Sequence, residues 1–233
     1  EALPMVQDDQ LAADMRGFVG QEAMHAEAHD KAVVEWLNRH GIDTTGYQQQ
    51  MEWIFRRALG PREGGTPEKR QKHLIERLWL IAAIEHYTAI LGDFALNCRW
   101  AEAGADPSMT DLFTWHGAEE VEHRAVAHEA AAYFTDTMFH RGRAMALAMP
   151  FLAILLVRGF RFIMTSDPTV DIGPVGKFTG YYRGARAGVL PKIRHLLGAT
   201  FTYFRPGFQP TDIGDTAQAV AYLASSPGAR RAA

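Results

Sequence analysis

Three short stretches place acids and imidazoles where single helix faces can gather them. In "QEAMHAEAH", residues 21–29, Glu22, His25 and His29 stand at i, i+3 and i+7. At about 100° per residue they fall within roughly a 60° wedge of one helix face. In "WHGAEEVEH", residues 115–123, His116, Glu120 and His123 stand at i, i+4 and i+7 and share a face in the same way. Glu119 lies beside the face of His116, and Glu122 turns toward solvent or a basic side chain. The third stretch, "LWLIAAIEHYTAILGDF", residues 78–94, sets Glu85 inside an apolar run. An ionised carboxylate there is costly unless it is paired or bound to a metal. A buried salt bridge to an arginine is the plain alternative. His86 points about 100° away from Glu85, so the two need not serve one purpose.

Glu-x-x-His is the spacing that lets a carboxylate and an imidazole on adjacent turns reach one metal ion. Two such pairs on separate helices, with a lone buried glutamate on a third, make the ligand inventory of a dinuclear carboxylate site in a four-helix bundle, less one glutamate. The candidate metal ligands are Glu22, His25, His29, Glu85, His116, Glu120 and His123. Glu119 and Tyr87 are the candidate catalytic groups beside them: Glu119 as a supporting or substitute ligand, Tyr87 as a hydrogen-bond or radical site. Mixed carboxylate and imidazole donors suit two transition-metal ions, iron first, with manganese or zinc as options. The absence of cysteine ligands disfavours a structural zinc site.

The elements that must position these residues read as helices almost throughout. The pattern predicts a long helix over 9–39, a shorter one over 47–59, and a loop in "GPREGGTP", residues 60–67. Pro67 opens a helix expected to run to about residue 103. Ser108 is a candidate N-cap for the next, which carries "WHGAEEVEH" and continues to about residue 138. Further helices are expected over 140–165, 176–198 and 212–225, followed by a frayed tail. The expected class is all-α: a metal-binding bundle over 1–140, with additional C-terminal helices over 141–233 packed on it in the same domain. Gly117 is placed to let another helix approach closely.

Composition narrows the functions. The net charge of −3 leaves no basic excess for neutralising phosphates, which argues against general nucleic-acid binding. The single cysteine, Cys98, rules out an intramolecular disulfide framework and fits a reducing compartment, hence a cytoplasmic expectation. The apolar run over 144–157 is about 14 residues, short of the roughly 20 that span a bilayer, and Arg158 and Arg161 follow it. It reads as a buried or amphipathic helix. A homodimer surface, a lid and peripheral membrane contact are options for the C-terminal third.

The motifs "FVGQEAMHAEAH", "AAIEHYTA" and "WHGAEEVEHRAVAHE", with "YFRPGFQP" near the C-terminus, resemble the ferritin-like family labelled predicted metal-dependent hydrolase. The resemblance spans most of the chain and implies a ferritin-like bundle around a metal site. The pattern His-x-x-x-Glu-x-x-His, matched by His116, Glu120 and His123, also resembles that of di-iron arylamine N-oxygenases, in which an extra imidazole joins the usual ligands. By that likeness Glu22, His25 and Glu85 complete the set. Such bundles draw a further glutamate from a helix before the first Glu-x-x-His; here only "EALPMVQDD" precedes it, and Glu1 does not match the ligand position.

Three functions fit the residues. The leading expectation is a di-iron oxidase or oxygenase that uses O2 and an unidentified electron donor on a small, largely apolar substrate. The alternative is a dinuclear metal-dependent hydrolase using the same ligands. The third is non-catalytic metal binding or storage.

Overall fold

The computed structural model describes residues 1–62, 64–171 and 173–232. Glu63, Ile172 and Ala233, which fall in the expected loops and tail, lie outside the described residues. The architecture is an all-α helical bundle, with no strand among the described residues. In chain order the helices are α1 (Asp9–Ala28), α2 (Glu35–Arg39), α3 (Thr45–Leu59), α4 (Pro67–Asn97), α5 (Pro107–His123) and α6 (Val126–Phe134). They continue with α7 (Met138–Ser166), α8 (Pro174–Ala187), α9 (Ile193–Tyr203), α10 (Thr216–Ser225) and α11 (Pro227–Ala232).

The starts follow capping chemistry. The Asp8 carboxylate accepts from Leu11 N at 2.9 Å, and Thr66 caps α4 ahead of Pro67, whose missing N–H costs nothing in a first turn. Asp106, rather than Ser108, caps α5: its carboxylate accepts from the backbone of Ser108 and Met109, and Pro107 takes the first helical position.

Helix α4 is the central column. It packs against α5, α6, α7 and α9. The core between them is rich in alanine, with Ala82, Ala83, Ala89, Ala131 and Ala148 buried beside Trp79, Met145 and Tyr203. Small side chains let the backbones come close, and the closest approach is between α4 and α5. A Cβ built on Gly92 would lie 2.4 Å from the carbonyl oxygen of Gly117, and one on Gly117 would lie 2.9 Å from the Cα of Gly92. The expected role of Gly117 is met, with Gly92 as its partner. The two backbones touch one to two turns from Glu85 and Glu120.

Four boundaries differ from the sequence expectations. The first long helix is interrupted: His29–Val34 form a π-helical segment between α1 and α2. Helix α4 stops at Asn97 because the chain turns away to bond the α8–α9 connection, through Arg99 N to the Gly188 carbonyl at 3.1 Å and Trp100 Nε1 to the Val189 carbonyl at 2.9 Å. The helix carrying "WHGAEEVEH" breaks at Arg124. That buried guanidinium donates to the carbonyls of Pro210 and Thr211 and to Thr216 Oγ1, at 3.0–3.1 Å, and so ties the break to a turn far along the chain. The expected helix over 176–198 is two helices, divided at Gly188 with φ 82°. The tail is also less free than expected, since Gly228 N and Ser226 Oγ both donate to the Asp111 carboxylate.

Candidate metal centre

Helices α1, α4 and α5 bring the three clusters to one point. His123 Nε2 lies 3.3 Å from Glu22 Oε1, 3.5 Å from Glu120 Oε2 and 3.8 Å from Glu85 Oε2. His25 Nδ1 lies 3.6 Å from Glu22 Oε1 and 3.5 Å from Glu120 Oε1. His116 Nε2 lies 2.8 Å from Glu120 Oε1. Two sets of donor atoms result, each with all members within 4.8 Å of one another: Glu22, Glu85, Glu120 and His123 in one, His25, His116 and Glu120 in the other. Glu120 belongs to both.

Four atoms at this point are buried without a hydrogen-bond partner: Glu22 Oε1, His25 Nδ1, Glu120 Oε2 and His123 Nε2. Buried polar atoms are normally satisfied, and a cluster of orphans facing one another calls for an ion. The residues fit such a group, because the orphans are nitrogen and carboxylate-oxygen lone pairs of the kind that iron, manganese and zinc accept.

Each imidazole is held from behind. Glu119 Oε2 accepts from His25 Nε2 at 2.7 Å, which leaves Nδ1 facing inward. Gln21 Oε1 accepts from His123 Nδ1 at 3.0 Å, which leaves Nε2 facing inward. His29 Nε2 lies 2.6 Å from His116 Nδ1, so the Nε2 of His116 is turned to Glu120. A hydrogen bond to the outer ring nitrogen fixes the tautomer and the ring orientation, the usual support of histidine ligands. Gln21 is itself held, its amide nitrogen donating to Glu122 Oε2 at 3.2 Å. Thr88 Oγ1 donates to Glu85 Oε2 at 3.3 Å. Aromatic edges close the rest: Phe18 on His123, Trp115 on His25 and Phe113 on His29.

The expected residues therefore separate. Glu22, His25, Glu85, His116, Glu120 and His123 converge. His29 stands one imidazole outside both donor sets, behind His116. Glu119 supports His25. Among the described residues no arginine meets Glu85; its neighbours are His123, Glu120 and Glu22. Tyr87 turns to another side of α4, where its hydroxyl bonds Thr200 on α9. His86 beside it bonds the Ala199 carbonyl at 2.9 Å, so both tie α9 to the bundle. Glu1 pairs with Arg77, and the two candidate donor sets together hold three carboxylates and three imidazoles without it. The sequence reading missed Gln21 and Thr88, whose only signal is adjacency: one precedes Glu22, the other lies three residues after Glu85.

The protons follow the geometry. Burial alone would depress both inner histidines. Glu119 and Glu22 instead raise His25 to about 9, and Glu120 and Glu22 raise His123 to about 10. Burial pushes the Glu22 carboxyl up, but His123 and His25 more than offset it and hold it at about 2. Glu120 is likewise held well below the usual range by His116 and His123 against its burial. Glu85 goes the other way: burial, then the charges of Glu120 and Glu22, push it well above the ordinary carboxylate value.

A cleft of about 400 Å³ opens beside the centre between α1, the π-helical segment, α3 and α7. Val33, Val34, Leu37, Phe162 and Ile163 give it apolar walls, and His29 forms part of its lining. Single π turns inside α-helices occur often at functional sites, and here the π turn puts His29 between the cleft and His116.

The family model for predicted metal-dependent hydrolases matches residues 1–214, and the chain belongs to that family. No curated protein and no solved structure matches it. The family corrects the leading expectation: an O2-dependent oxidase or oxygenase is replaced by a metal-dependent hydrolase, the alternative drawn from the same residues. The physical reason is plain. Carboxylate and imidazole ligands hold a redox pair or a pair of Lewis acids equally well, so the His-x-x-x-Glu-x-x-His pattern reports the ligands and leaves the reaction open.

Proposed function

We propose that this chain hydrolyses a small substrate with an apolar portion, using two transition-metal ions that share Glu120. The observation that carries this reading is the double membership of Glu120 in two donor sets that together hold four buried atoms without partners. Iron, manganese and zinc all suit the donors. Glu22, Glu85 and His123 would hold one ion, and His25 and His116 the other. When bound, such ions would acidify water and stabilise negative charge on the group being cleaved.

The remaining work belongs to the chain. Glu119 keeps the proton of His25 on Nε2, and Gln21 keeps that of His123 on Nδ1, so the inward nitrogens stay available. Loading displaces protons from Glu85, His25 and His123, each of which holds one more tightly than it would in water. Phe18, Trp115 and Phe113 limit water around the imidazoles. The cleft receives the apolar part of the substrate and leaves the scissile group on the side of His29 and His116.

The test is reconstitution with zinc, manganese or ferrous iron, followed by metal counting and assay on activated esters, phosphoesters and amides. Two ions per chain and metal-dependent turnover of one of these classes are expected. Two bound ions with no hydrolysis in any metal form would defeat the reading.

A further inference from the structure

Away from the metal centre, the C-terminal helices carry a surface that the proposed reaction does not use. On α7, Arg143, Leu147, Ile154, Val157, Arg158 and Arg161 recur at three- and four-residue steps, which places them on one side of the helix within roughly 100°. All six are exposed, and Ile154 and Val157 each keep 59% of their surface. The helix is long and apolar enough to cross a membrane, yet only 6% of its most apolar window is buried. Its opposite side is committed to the protein, with Ala144, Met145 and Ala148 in the core. The helix is thus anchored on the bundle along its first half and turns an apolar stripe outward.

Helices α8 and α9 continue the pattern. Phe178 and Tyr182 stand four residues apart on α8, 73% and 68% exposed, and Phe201 on α9 is 72% exposed. Both helices lie alongside α7, through the ring contact of Phe160 with Tyr181 and the packing of α7 on α9. Charge follows the same division. Residues 138–205 hold ten Arg or Lys and two Asp, a net +8 in a chain of net −3.

We infer that this face docks on an anionic lipid bilayer. Apolar side chains flanked by cations suit the headgroup boundary, where the stripe enters the acyl edge and the arginines meet lipid phosphates. A second copy of the same face would bring like charges together. The bilayer satisfies both the apolar and the cationic terms.

The test is co-sedimentation of the full chain with vesicles of equimolar phosphatidylglycerol and phosphatidylcholine, against vesicles of phosphatidylcholine alone. Binding at least about tenfold stronger to the anionic vesicles is expected, weakening as salt screens the arginines. Leu147→Glu with Ile154→Glu, and separately Arg158→Glu with Arg161→Glu, should each lower it about tenfold or more at an unchanged unfolding midpoint and metal content. Lys69→Glu with Lys72→Glu, on the exposed start of α4, should leave it unchanged. Equal binding to both vesicles, or to neither, overturns the inference. So does binding that survives the α7 substitutions. Light scattering showing a dimer that Ile154→Glu dissociates, with no vesicle binding, would assign the face to a second copy instead.

Discussion

Two groups of histidines, all buried but the half-buried His128, lie on different sides of α4, and their surroundings treat them oppositely. His86 and His128 sit among Trp79, Tyr203 and Phe208, and desolvation lowers both to about 4. His25 and His123 are as deeply buried, yet carboxylates raise them to about 9 and about 10. Each group leaves a ring nitrogen without a partner. Around His86 and His128 the neighbours are aromatic rings. Around His25 and His123 the orphans face other orphans. Burial alone makes a histidine neutral; the company of acids keeps it protonated.

The comparison breaks most directly at Glu120. Glu120→Gln should reduce bound metal from two ions to at most one and lower metal-dependent hydrolysis by more than about 100-fold, since even supporting residues are worth about 10- to 100-fold. Full metal content in this variant, measured by elemental analysis, would separate the two donor sets and end the shared-ligand reading.

Next come the supporting groups. Gln21→Ala and Glu119→Ala should each weaken metal binding about 10- to 100-fold, read by competition with a chelator. His86→Gln, on the other side of α4, should leave metal affinity unchanged while lowering the unfolding midpoint. If His86→Gln weakens the metal as much as Gln21→Ala, the two sides are one network.

The glycine crossing comes third. Gly117→Ala puts a methyl group against the Gly92 backbone. It should destabilise the fold by about 1–3 kcal/mol in urea titration. Metal affinity should fall with it, because α4 and α5 carry Glu85 and Glu120.

The smallest effect is on the pH profile of the metal-free protein. His25 and His123 bind protons more tightly folded than unfolded, so their contribution is complete below 6.5 and drains as pH rises through about 9 and about 10. His86 and His128 stay neutral when folded, so their contribution is complete above 6.5 and is lost as pH falls toward about 4. His25→Gln should flatten the alkaline limb and His128→Gln the acid limb of the urea midpoint against pH. Metal affinity should rise with pH over the alkaline range, because loading displaces protons from His25 and His123.

Much of the inward-facing set was legible in the sequence, because helical periodicity is a strong constraint: Glu22, His25, Glu120 and His123 follow from spacing alone, and Glu85 from its apolar setting. The all-α class follows from the same periodicity. What spacing does not carry is contact between helices. Gln21 reaches His123 across α1 and α5. His29 shares a face with Glu22 and His25, yet it ends up behind His116. Tyr87 looks like a site residue only until α9 arrives to bond it, as α9 also bonds His86 beside it. The break at Arg124 depends on carbonyls more than 80 residues away, and no local pattern announces it. Reaction type was the least legible of all, since oxidation and hydrolysis draw on one donor alphabet.

The contact between Gly92 and Gly117 has a consequence for how this chain can vary. At most buried positions a side chain is chosen by volume, and neighbours trade a methyl here for a methyl there. At this crossing each residue is met by the other's main chain, which has nothing to trade. No compensating change on the facing helix can make room, because the obstacle is present in every amino acid. A side chain at either position is therefore resisted by backbone that every substitution on the facing helix retains.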